Sequence, residues 1–249
     1  MSRLLEGENM NNTVTGISEK IPGHLKDLYS SLCSEVGWIR LQWQMYDTLY
    51  GHSEERWNLL NKSAPMFFYM VDYLFIDNFI LALSRLGDPA NQKIKKQVVE
   101  NFTLELLLLR LGRTTDAALI TILEPLLADY RTKCVAIREQ RKKRVAHTDF
   151  NTKMQADKHP LPEVSRQKIE AALEAAEDYL NLFENHFSGE NCAASHNILS
   201  ADSAHTLLDR LYKAVAYDKL QAEGKIEPAY ADKLANADPS ICIKSRDCC

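Results

Sequence analysis

Glycine and proline are scarce in this sequence, 17 residues together out of 249. With hydrophobic residues at 45%, that shortage suits a helical protein with a proper core, and the length suits one domain or one domain with an appendage. A broadly positive charge is also missing. The formal net charge of -4 excludes a generic nucleic-acid coat but leaves room for a local basic site. The six cysteines, Cys33, Cys134, Cys192, Cys242, Cys248 and Cys249, include no Cys-x-x-Cys pair, and none of the seven histidines pairs with another at i,i+3 or i,i+4. Zinc is not expected, nor is any other cofactor. There is no Gly-rich phosphate loop and no nucleophile elbow. No signal-peptide pattern is present, which with the cysteine usage fits a reducing cytoplasm; Cys248-Cys249 resembles some prenylated C-termini, against which stands the commoner reading of an incidental tail. The long apolar run from Met66 to Leu83 contains Asp72, Asp77 and Asn78. An acid near a bilayer centre costs about 3 kcal/mol. The run therefore reads as a helix buried in protein, and no membrane partner is expected.

What is present is helical periodicity. Residues 1–20 are polar and without period, a flexible N-terminus. Pro22 opens a long amphipathic helix through Leu25, Leu28, Leu32, Val36, Ile39, Trp43, Tyr46 and Tyr50, stopped by Gly51. Ser53 caps a second helix that runs to about Leu86 and that Pro65 kinks or splits. Beyond Pro65 it is apolar almost all round, the pattern of a central bundle helix. Asp77 lies on an apolar seam of that helix, and Arg85 continues the seam. Gly87-Asp88-Pro89 stops it. Residues 88–101 read as a Lys-rich loop with at most one helical turn, followed by a short buried helix from Asn101 to Leu111 that Gly112 breaks. Thr114 or Thr115 caps the next helix, with Pro125 near its first turns or in a kink. After a loop over 150–162, Ser165 to Phe187 forms a helix with Ile169, Leu173, Ala176, Leu180 and Phe183 on one face. A polar linker precedes a further helix from about Ala201 to Gln221, and Ala229 to Ala237 is read as one more short helix. There is no internal repeat and no strand-like alternation. The expected fold is an all-α antiparallel bundle of about five helices over 21–188, with a polar linker and helical tail over 189–249.

The unusual stretch is Arg138 to Asp149. Leu123, Leu127, Tyr130, Cys134 and Ile137 form an apolar stripe whose next position is Arg141 and whose following one is Val145. A cation thus interrupts an inward face, so the fold should supply an acid, an opening to water or a bound anion. His147 stands where the helix gives way. Between Arg131 and Arg144 there are seven cations against one acid, Glu139. Arginine holds phosphate in a planar fork, and histidine moves protons near neutral pH. Together they suit attack by an RNA 2′-hydroxyl on the adjacent phosphate, without a metal. On a straight helix, six residues set His147 about 120° from Arg141, so the helix should end between them or a second copy should bring its own pair across a two-fold axis. The supporting or phosphate-binding candidates are Lys142, Lys143, Arg144, Asp77 and Arg85. The competing reading is structural: Arg141 paired with Asp77 or Asp72, His147 capping a helix end, and Lys142 to Arg144 a solvated face.

At these residues the sequence resembles the HEPN superfamily, in particular its abortive-infection (Abi U2-type) branch. That superfamily is marked by an Arg, four to six residues, then a His near the end of a bundle helix; here it reads Arg141-Lys-Lys-Arg-Val-Ala-His147. Two further stretches agree with the branch: Glu55 to Asn61 leading to Ala64-Pro65-Met66-Phe67-Phe68, and Leu83-Ser-Arg-Leu-Gly-Asp-Pro89. The resemblance covers residues 25–188. It implies a helical bundle, often dimeric, with the Arg-His pair at the dimer seam. Many members are metal-independent ribonucleases of defence and toxin systems, while others only bind partners. In nuclease members the residue after the Arg is usually Asn, Asp or His, whereas here it is Lys142. The expectation is an RNA-cleaving cytoplasmic homodimer with Arg141 on phosphate and His147 as general acid/base, with RNA as partner and no DNA. The alternative is a silent bundle that binds a protein, nucleotide or RNA partner, and Lys142 is the feature that separates the two.

Overall fold

The computed structural model describes residues 19–51, 53–112, 116–146, 149–155, 157–188 and 202–225. Among them helices dominate, and a single two-stranded hairpin is the only sheet; the fold is an all-α bundle. Pro22 precedes α1 (Gly23–Tyr50), whose buried positions Leu25, Leu32, Val36, Ile39 and Trp43 are those of the expected stripe. Pro65 splits the second helical pattern. The Ser53 side chain caps α2 (Glu54–Ser63) by accepting from the Arg56 amide at 3.2 Å, Ala64 leaves the helical conformation, and α3 (Pro65–Leu86) starts with Pro65 in its first turn, where a missing N–H costs nothing.

The expectation that α3 is buried all round is corrected. Its C-terminal half carries Phe79, Ile80, Leu83 and Leu86 into the core, but its N-terminal half leaves Met66, Phe67, Tyr69, Met70, Tyr73 and Leu74 exposed. An all-apolar helix signals more burial than α1, α2 and the rest of the bundle supply there. Arg85 is corrected likewise. Its side chain is 60% exposed and pairs with Glu35 of α1 at 3.0 Å, off the buried seam.

Residues 88–101 are a hairpin rather than a loop: β1 (Asn91–Ile94) pairs antiparallel with β2 (Gln97–Glu100), every residue exposed. No alternation marks it in the sequence because neither of its faces is buried. Its base is tied down. The Ala90 amide donates to Glu105 at 2.5 Å, the Asn101 amide to the Ala90 carbonyl at 2.7 Å, and Arg110 pairs with Glu100 at 2.6 Å.

Then follow α4 (Leu104–Gly112), α5 (Ala117–Lys133) and α6 (Val135–Gln140). The cap of α5 is Asp116, accepting from the Leu119 amide at 3.2 Å; Thr114 and Thr115 lie outside the described residues. Pro125 stands in the helix interior. A short helix, α7 (Phe150–Met154), interrupts the loop expected over 150–162. Next come α8 (Arg166–Ser188) and α9 (Asp202–Ala222). The helix read over 229–237 lies outside the described residues.

α8 is the central partner of α5 and α1, burying Ile169, Leu173, Ala176, Leu180 and Phe183. Polar ties cross the same seam. Arg40 of α1 holds Glu177 through both its Nε (2.7 Å) and Nη2 (2.6 Å) and reaches Glu170 at 2.5 Å, and the Tyr29 hydroxyl donates to Glu184 at 2.8 Å. A two-point guanidinium–carboxylate pair fixes helix register as well as proximity. α9 packs on α2 and α1. What this frame positions is the C-terminal end of α3 against α5 and α6, where the basic segment lies.

Candidate active site

The apolar stripe of α5 and α6 is buried as its spacing predicts: Leu123, Tyr130, Cys134 and Ile137 have no exposed surface, and Leu127 has 4%. Burial holds the Cys134 thiol neutral, pushing its pKa up to about 11, and lifts that of Tyr130 well above the usual phenol range. The Tyr130 hydroxyl donates to the Leu83 carbonyl at 2.5 Å and locks α5 to the last turns of α3. The terminal carbonyls of a helix lack partners within it and form the negative end of its dipole. Arginines from the facing helices meet that end. Arg131 Nε and Arg138 Nη1 both donate to the Gly87 carbonyl, at 3.1 and 2.8 Å. A Cβ on Gly87 would stand 3.1 Å from the buried Tyr130 ring, so glycine lets the two helices approach.

Arg141 lies one step further along. Its Nη1 donates to Asp88 Oδ2 at 2.6 Å, while Arg138 Nη2 stands 3.2 Å from Asp88 Oδ1. The acid that the interrupted stripe calls for is therefore Asp88, not Asp77 or Asp72. Asp77 pairs with Arg144 instead, at 2.7 Å. The Arg144 guanidinium also donates to the Tyr73 hydroxyl at 2.8 Å, lies 5.2 Å from the centre of that ring, and takes Gln140 Oε1 at 2.8 Å. Lys143 pairs with Glu139 at 3.3 Å. No described residue pairs with Lys142. The structure thus brings Arg141, Arg144 and Asp77 onto one strip beside the end of α3, and Arg85 opens onto the same cavity as Arg141.

The backbone changes at the same place. Beyond Gln140 the helix loosens into a π-helical turn, Arg141–Val145, closed by the Ala146 amide donating to the Arg141 carbonyl at 2.8 Å. Such turns are rare and gather at functional sites. The helix ends there, before His147. Asp149 caps α7 by accepting from the Thr152 amide at 2.8 Å and hydroxyl at 2.9 Å, and these bonds hold its carboxyl below the usual range. His147 and Thr148, in the link between the two caps, lie outside the described residues.

Arg141, Asp88, Arg85 and Glu35 line a cavity of about 370 Å³ between α1, the end of α3 and the hairpin base. Sequence reasoning missed Asp88, Glu35 and Tyr73. Asp88 had a signal, since it stands in the Gly-Asp-Pro stop at the end of α3, but there it reads as a helix breaker. Among the described residues no group of three or more His, Cys, Asp or Glu side chains is placed to hold a metal ion.

The comparisons agree with this architecture. The HEPN-type family model described as AbiU2 matches residues 23–210, past α8 and into α9. Among curated proteins and solved structures none matches the chain. The match spans most of the sequence and takes in every element described above except the end of α9: the chain belongs to the HEPN_AbiU2 family of abortive-infection domains.

Proposed function

We propose that this protein is a metal-independent endoribonuclease acting in the cytoplasm in phage defence or a toxin system, with Arg141 binding the scissile phosphate and His147 moving the proton. The observation that carries the reading is the π-helical turn that starts at Arg141 and ends at Val145, two residues before His147. On a continuous α-helix the two side chains diverge by about 120°. With the helix ended between them, that phase no longer separates them. Arg141 is held by Asp88 through one of its five N–H groups, and its side chain is 30% exposed, which leaves donors for a phosphate. Lys142, Lys143 and Arg144 add phosphate affinity that falls with salt.

The working unit is proposed to be a homodimer joined through the N-terminal half of α3. Met66, Met70 and Leu74 are 69%, 56% and 64% exposed there, and the Tyr73–Arg144 contact makes this face continuous with the basic strip. α3 has the length and composition of a membrane span. Asp72 and Asp77, and the ion pair that Asp77 makes, favour a protein partner over lipid.

The second reading, a catalytically silent binder, is favoured by Lys142, which stands where nuclease members usually carry a small polar residue or His, and by Arg141 being already ion-paired. Incubation of the purified chain with mixed RNA in EDTA separates the two. The nuclease reading expects cleavage that falls by about a hundredfold or more in both Arg141→Ala and His147→Ala. Intact RNA with a folded wild-type protein gives the answer to the binder.

A further inference from the structure

The cavity beside Arg141 has a chemistry of its own. Its floor is apolar, formed by Ala82 and Leu86, which are 5% and 2% exposed. One wall is Phe102, an aromatic side chain left 45% exposed. Its rim carries two ion pairs, Arg85 with Glu35 at 3.0 Å and Arg141 with Asp88 at 2.6 Å. Two cations and two carboxylates leave the rim without net charge, so a phosphate gains little by entering. Phosphates are better served at its edge, by the free donors of Arg141 and the ridge of Lys142 and Lys143. A flat, neutral ligand with donors and acceptors along its edges fits the cavity better. Guanidinium and carboxylate stand side by side there, and the Gln92 and Asn101 amides add both polarities. A volume of about 370 Å³ falls within the usual range for small-ligand sites, about 300–1,000 Å³.

We infer that this cavity is a nucleobase subsite, which takes one base of an RNA strand whose phosphate lies on Arg141 and stacks it on Phe102. The inference rests on the RNA reading proposed above and adds where a base adjoining that phosphate goes. Single-stranded RNA is bound through bases stacked on aromatic rings and hydrogen-bonded at their edges. The hairpin gives the subsite a firm rim, because its base is tied to Glu105 and Arg110 while Gln92 and Asn101 flank the opening.

The test is RNA binding by fluorescence anisotropy, with EDTA present and in a His147→Ala background so that the probe stays intact. The probes are a single-stranded RNA of mixed sequence and an abasic ribose-phosphate oligomer of the same length. Phe102→Ala should weaken RNA binding about tenfold or more, leave the slope of affinity against salt unchanged, and bind the abasic oligomer as tightly as the parent does. Phe102→Tyr should keep the ring and the affinity. Lys142→Gln with Lys143→Gln should instead lower the salt slope, by about 0.7 for each phosphate no longer neutralised. If the parent binds RNA and Phe102→Ala binds it equally well, the subsite is overturned and the RNA reading stands. If Phe102→Ala loses the abasic oligomer as well, the ring supports the fold rather than a base, and the subsite is overturned again. If the parent binds no RNA, both readings fall together.

Discussion

The acid that stabilises Arg141 is contributed from 53 residues away in sequence. Arg141 needs a partner because it continues the line of a buried stripe and is itself only 30% exposed, and the broken stripe of Leu123, Leu127, Tyr130, Cys134 and Ile137 makes the need legible. The identity of the partner is not legible. Asp72 and Asp77 lie on the helix that periodicity places nearby, whereas Asp88 lies just past that helix, where φ and ψ rather than hydropathy decide its direction. Three arginines from α5, α6 and the π turn converge on Gly87 and Asp88, so Asp88 neutralises a locally dense positive field. Asp88→Ala should lower stability to urea by about 1–2 kcal/mol, since two partly buried guanidinium groups lose a charged partner. It should also lower RNA cleavage without changing its pH optimum, because Asp88 positions Arg141 and does not itself move a proton. An unchanged unfolding midpoint would show that water serves Arg138 and Arg141 equally well.

Among the elements, α1, α5 and α8 follow from their 3.6-residue periodicity, and Ser53 and Pro65 mark the ends of α2 and α3 as caps and first-turn prolines do. Two elements do not follow. The hairpin buries neither face and so carries no alternation, and its turn places Lys95 at φ 57°, a left-handed conformation that glycine rather than lysine advertises. The π turn has no composition signal, because Arg141 to Arg144 would sit as readily in an α-helix. A π turn holds one residue more than the α-helical turn it replaces, so removing one restores the α phase. Deletion of Lys142 should therefore leave the far-ultraviolet circular dichroism and the unfolding cooperativity close to those of the parent. It should close the wide turn that separates Arg141 from the His147 link and abolish cleavage. Full activity in this deletion would mean that the π turn has no part in placing the pair.

At the scale of the whole molecule, the sequence shows how much apolar surface α3 carries but not whether one chain covers it. Among the described residues Met66, Phe67, Tyr69, Met70, Tyr73 and Leu74 are left exposed, next to the Arg144–Tyr73 contact. An exposed apolar face of this length marks an interaction site. Met70→Glu with Leu74→Glu should convert a dimer to a monomer in sedimentation velocity while leaving the fold intact, because neither side chain is buried. A parent protein that sediments as a monomer at all concentrations would rule the dimer out. The reaction proposed for the site is cleavage of RNA by its own 2′-hydroxyl, with Arg141 on the phosphate and no metal. To test it, one RNA substrate is prepared in two forms, with and without a single 2′-deoxy substitution at the cleaved nucleotide, and the product ends are identified in EDTA. The proposed reaction gives 2′,3′-cyclic phosphate and 5′-hydroxyl ends from the unsubstituted form and no cut at that position in the 2′-deoxy form. Cleavage of both forms, or products ending in 3′-hydroxyl and 5′-phosphate, would contradict it.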